Sequence, residues 1–151
     1  FAVAVVMPAA SSIKLITEPT SANIPLSDSG QYLNDWPAGG GVAEVVKFVK
    51  NQDQSKQIYV GTEGTFGLLP FALQIYFFGQ NNIHVIGFWP VDENKLPVQI
   101  TEAAKNNPTY FVFNENQKDI ANSRLRLIDK FQKGIGNSYM RLYQITPQWN
   151  S

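Results

Sequence analysis

Three glycines at a spacing of three, Gly61, Gly64 and Gly67, punctuate the stretch GTEGTFGLLP between the apolar run 57–60 and a second run that begins at Leu68. A glycine-rich turn between a strand and a helix is where backbone N–H groups and a helix N-terminus gather a phosphate. Here the details oppose that ligand. The spacing is G-x-x-G-x-x-G rather than G-x-G-x-x-G, no Lys-Ser/Thr pair follows, and Glu63 repels an anion. The same residues suit plain turn chemistry with Thr62 or Thr65 as a helix N-cap. They also suit contact with a small ligand or substrate through Gly61, Glu63, Gly64 and Thr65. Glu115 follows the apolar run TYFVF and is expected at the same sheet edge as Glu63. Two carboxylates meeting there would bind a cation or a sugar hydroxyl.

The remaining chemistry-bearing residues are sparse. His84 is the only histidine and the chain has no cysteine, so a thiolate nucleophile, a disulfide framework and a Cys-based zinc site are excluded. A lone imidazole on a strand reads as a half-buried structural residue, and a Ser-His-Asp triad has no marked partners. Asp92 and Glu93 would serve an acid/base pair in a small hydrolase using His84, but adjacent side chains point apart and a solvated turn is the default. No pattern calls for a metal or a cofactor. With 12 basic and 12 acidic residues the chain is neutral and lacks the electrostatic footprint of a nucleic-acid binder.

These residues need elements to position them, and 151 residues suffice for one ordinary domain. Val42, Val45, Val46 and Val49 fall at i, i+3, i+4 and i+7 and predict an amphipathic helix that closes at the polar run 51–56. Residues 57–60, 83–89 and 109–115 read as strands. Residues 68–78 read as a helix with Pro70 in its first turn, and 97–106 as a short helix ended by Asn107-Pro108. Leu125, Ile128 and Phe131 at three-residue spacing predict a helix over 122–133 stopped by Gly134, and 138–146 an edge strand. The alternation implies an α/β fold: a three-layer sandwich, Rossmann-like, on a mostly parallel sheet of about four strands.

Two regions are unusual. The opening FAVAVVMPAA is apolar and uncharged, consistent with the end of a membrane span, a buried strand or helix, or a secretory apolar core. The run 68–78 has Gln74 as its one strongly polar position, which suits burial on all sides or an apolar partner, a bilayer surface included.

The segments QYLNDWPAGGGVAEVVKFVK, IYVGTEGTFGLLPFALQIYFFGQNNIHVIGFWPV, PTYFVFNENQ and GNSYMRLYQI together resemble the soluble C-terminal region of membrane glycosyltransferases of the dolichyl- or polyprenyl-phosphate-mannose mannosyltransferase type, the GT-C enzymes. The resemblance runs from about Gln31 to the end. It implies that residues 1–14 are the tail of a transmembrane helix, 15–41 a linker packed on the domain, and 42–151 a soluble domain outside the cytoplasm. In such enzymes the lipid-linked sugar binds within the membrane bundle and an acidic residue of the first extracytoplasmic loop acts as base. The resemblance therefore implies no catalytic residue in this chain. Its implied partners are the transmembrane part of the same enzyme, the membrane surface and a glycan or protein acceptor. A free-standing exported sugar-binding module is the competing expectation.

Overall fold

The computed structural model describes residues 2–115, 120–134 and 136–147. The chain opens with α1 (Ala2–Thr17) and continues through a 3-10 turn (Pro19–Ser21), α2 (Leu26–Ser29) and a π-helical turn (Gly30–Asn34). Then follow α3 (Val42–Lys50), β1 (Ile58–Glu63), α4 (Phe71–Tyr76), β2 (Ile83–Phe88), α5 (Val98–Ala103), β3 (Thr109–Phe113), β4 (Leu125–Lys133) and β5 (Ser138–Ile145).

The strands form one open mixed sheet of five in the order β2-β1-β3-β5-β4. β1 runs parallel to both β2 and β3, with Glu63 opposite Phe88 and Thr62 opposite Val112. β5 is antiparallel to β3 and to β4, so the sheet is parallel at one end and antiparallel at the other. Both faces are covered. On one, the four valines of α3 and Leu73 and Phe77 pack against Ile58, Val60, Val112, Met140 and Leu142. On the other, Leu96, Ile100 and Ala104 pack against Phe111, Phe113, Tyr143 and Ile145. Burying each valine of α3 contributes about 2 kcal/mol, which fixes the helix to the sheet.

Three expectations differ from the structure. Residues 122–133 are not helical: Leu125–Lys133 is an edge strand with a bulge between Leu127 and Asp129. Leu125 packs into one face and Ile128 and Phe131 into the other, so the bulge converts a strand into an apparent three-residue period. β5, expected at an edge, lies inside the sheet, because its imperfect alternation supplies apolar residues to both faces. The helix expected over 68–78 is limited to Phe71–Tyr76, and only Leu73 of it is buried. Phe71, Ile75 and Tyr76, and Phe78 just beyond, are exposed.

α1 packs against the turn after it, and Val6, Met7, Ile13, Leu15 and Ile16 face solvent. No described helix is long and apolar enough to cross a membrane.

Candidate functional site

β1, β2 and β3 end at one edge of the sheet, and there Trp36, Glu63, Gly64, Thr65, Phe66, Leu69, Trp89, Asn114 and Glu115 enclose a cleft of about 230 Å³. Carboxyl ends of parallel strands are where α/β folds gather ligands, because the chain must leave the sheet there and opens a crevice.

The floor of the cleft is fixed by main-chain hydrogen bonds. Glu63 ends β1 with its side chain 8 % exposed, and its Oε2 accepts from Asn114 N at 2.9 Å and Glu115 N at 2.7 Å. A buried carboxylate held by two amides is rigid, and each charge-assisted bond is stronger than a neutral one. Asn114 Nδ2 donates to Trp36 O at 2.6 Å, which carries the segment before α3 across the sheet edge to form one wall. Beneath lies Lys133, fully buried at the end of β4. Its Nζ donates to Asp35 O and Asn114 O, both at 3.2 Å. Burial lowers the Lys133 pKa to about 8, against the opposing pull of the Asp35 and Glu63 charges.

The mouth is aromatic. Trp36 and Phe66 meet edge to face at 6.1 Å, and with Trp89 they remain partly exposed. Gly67 makes this possible: its φ is +82°, and a Cβ there would lie 2.6 Å from Cζ3 of Trp36. Glu115 stands at the rim with no described partner for its carboxylate, and Thr65 adds an exposed hydroxyl. Aromatic faces beside carboxylates and an amide suit a small polyhydroxylated ligand, whose C–H face lies on the rings while its hydroxyls donate to the carboxylates.

Four of the five residues expected to contact a ligand, Glu63, Gly64, Thr65 and Glu115, line this cleft. Gly61 does not. It lies within β1, where a Cβ would fall 2.6 Å from Cδ2 of Phe111, so its glycine serves close packing of the sheet. Nor does either threonine cap α4: Thr62 is buried in β1, and Pro70 is the N-cap, with no side-chain cap bond. His84 stacks on Tyr59 at 4.7 Å and donates through Nε2 to Gln57 Oε1 at 2.6 Å. Asp92 turns its carboxylate onto Asn94 N at 2.9 Å. Local partners thus occupy two of the three residues a hydrolase would use. Among the described residues no group of three His, Asp or Glu side chains could hold a metal ion.

Sequence reasoning did not single out Trp36, Trp89, Asn114 or Lys133 for the site. Asn114 had a signal, since it directly precedes Glu115 at the end of a strand. Trp36 had none, because its place depends on a contact with Asn114, 78 residues away in the chain. The chain matches no known family model, and comparison with curated proteins and with solved structures gives no match.

Proposed function

We propose that this chain is the extracytoplasmic C-terminal domain of a lipid-phosphate-sugar-dependent membrane glycosyltransferase, and that its cleft holds the sugar of the acceptor. The aromatic and carboxylate cleft at the carboxyl edge of β1 and β3 is the observation that carries the reading. Its carboxylates favour hydroxyl donors and disfavour phosphate, which suits an acceptor glycan better than a phosphate-linked donor.

Attachment to a membrane enzyme draws support from two apolar surfaces. From Gly64 to Val91 the chain has no Asp, Glu, Lys or Arg, yet Phe66, Phe71, Ile75, Tyr76, Phe78 and Trp89 are exposed there. An uncharged surface of this kind marks an apolar partner, here the transmembrane part of the same enzyme or the membrane beside it. α1, with Lys14 as its only charge, adds exposed apolar side chains at Val6, Met7, Ile13, Leu15 and Ile16. Such surfaces favour this reading over a free-standing sugar-binding module. The bond-making residues then belong to the transmembrane part.

Trp36 and Trp89 line the cleft and report its occupancy. Titration of the chain with short neutral oligosaccharides is expected to change tryptophan emission saturably, with the response lost in Trp89→Ala and the affinity lowered about tenfold in Glu115→Gln. If no saccharide alters either the emission or the melting temperature, acceptor binding is wrong. The chain alone is expected to transfer no sugar from a polyprenyl-phosphate sugar, and transfer by it would remove the glycosyltransferase-domain reading.

A further inference from the structure

A second cavity lies toward the other end of the sheet. It has a volume of about 390 Å³ and forms between the turn at Asn94–Leu96 and the segment 121–124 that leads into β4. Its position follows from the register: Leu125 pairs with Ile145, and Arg124 lies just beyond, at the end of the sheet opposite Lys133. Its walls are tied together. Asn122 Nδ2 donates to Glu93 O, and Asn122 Oδ1 accepts from Arg124 N at 2.9 Å. Arg124 O in turn accepts from Thr146 N at 2.8 Å and from Thr146 Oγ1 at 3.1 Å. On the facing wall, Lys95 N donates to Asp92 O at 3.0 Å. Both cations therefore spring from fixed main chain.

Among the described residues Lys95 and Arg124 line this cavity together with Asn94 and Ser123 and no acidic side chain. Neither cation has a carboxylate within ion-pair distance among the described residues. Glu93 directly precedes Asn94 but does not line the cavity, and Asp92 is engaged by the Asn94 amide. Arg124 Nε is buried and has no hydrogen-bond partner among the described residues. A guanidinium that lines a cavity takes an oxyanion through its accessible N–H groups in a charge-assisted contact. A lysine adds a point charge for a further oxygen, and the serine hydroxyl and asparagine amide supply donors for the rest.

We infer that this cavity is an oxyanion site for a phosphate ester of a small polar molecule. An ester fits better than the bare ion, because the cavity lies in the size range of small-molecule sites and a phosphate group fills only part of it. Two sources offer this chemistry, a soluble sugar phosphate and the headgroup of an anionic phospholipid.

Calorimetric titration of the full chain tests the site with inorganic phosphate, a hexose 1-phosphate, the unphosphorylated hexose and phosphatidylglycerol vesicles. The expected variants are Arg124→Gln, Lys95→Gln and, as a charge-matched control on an exposed face of α3, Lys47→Gln. Binding of the ester is expected to weaken about tenfold or more in each cavity variant and to stay unchanged in the control, with the free hexose unable to compete. Loss of vesicle binding in Arg124→Gln would identify the headgroup as the source, and loss of hexose 1-phosphate binding alone the soluble ester. If neither phosphate probe binds, or if Arg124→Gln binds both as the parent chain does, the site does not exist.

Discussion

The two cavities are opposites in charge and in construction. The cleft at the carboxyl edge is acidic and aromatic, and its carboxylate Glu63 is buried and held by two main-chain amides above a buried lysine. The cavity at the other end is basic and polar, and its Lys95 and Arg124 reach in from loops. One site is part of the fold and the other is carried by it. A residue whose polar atoms complete the sheet edge cannot be changed for ligand chemistry alone, whereas Lys95 and Arg124 can be exchanged with little structural consequence.

The largest test of that contrast is Glu63→Ala. It strips the acceptor from Asn114 N and Glu115 N and removes a negative charge from the surroundings of Lys133. Removing one side of a buried charged arrangement costs about 3–5 kcal/mol, while Arg124→Gln, Lys95→Gln and Glu115→Gln should each stay within about 0.5 kcal/mol. Denaturant unfolding of the four variants makes the comparison, and equal losses would erase the distinction between the cavities.

Lys133 gives the next effect, through pH. Its native pKa of about 8 lies below the ordinary value of 10.5, so below pH 8 the lysine is charged in both states and the cost of burying that charge is fully present. As pH rises through 8 the native protein sheds the proton while the unfolded chain keeps it, so stability rises towards pH 10.5, by about 2–3 kcal/mol from this group. Unfolding midpoints measured across that window should show the rise in the parent chain and no rise in Lys133→Met, where burial of Tyr110, which raises its pKa, lowers stability towards the upper end. A rise that survives in Lys133→Met would assign the effect elsewhere.

Gly61→Ala should have a smaller effect. Its Cβ must displace Phe111, with overpacking of about 1–3 kcal/mol, yet saccharide binding by the surviving folded protein should be unaltered. Altered binding at constant stability would return Gly61 to the ligand site.

Much of this arrangement is legible in the sequence, for particular reasons. Val42, Val45, Val46 and Val49 face one core on a regular helix, so their spacing directly reports burial. Glu63 and Glu115 were placed at one edge because each lies at or just past the carboxyl end of an apolar strand, and such ends in a parallel sheet share a side. The edge strand β4 was illegible because its bulge shifts the inward positions by one residue, and Lys133, which its register buries, was hidden with it. Trp36 and Trp89 lay beyond reach for a different reason. Both sit in irregular segments, and no local period records which distant strand end they approach.

The sheet is open, and its two free edges are defended unequally. β4 presents Arg126, Asp129 and Lys130 along a bulged strand, and charges and bulges both discourage a second chain from pairing there. β2, IHVIGF, has no charged residue and relies on Gln74, whose Nε2 donates to Val85 O at 3.3 Å, to occupy part of its outer hydrogen-bonding row. Self-association at high concentration should therefore begin along β2, and a single lysine introduced at Ile86 should suppress it without disturbing either cavity.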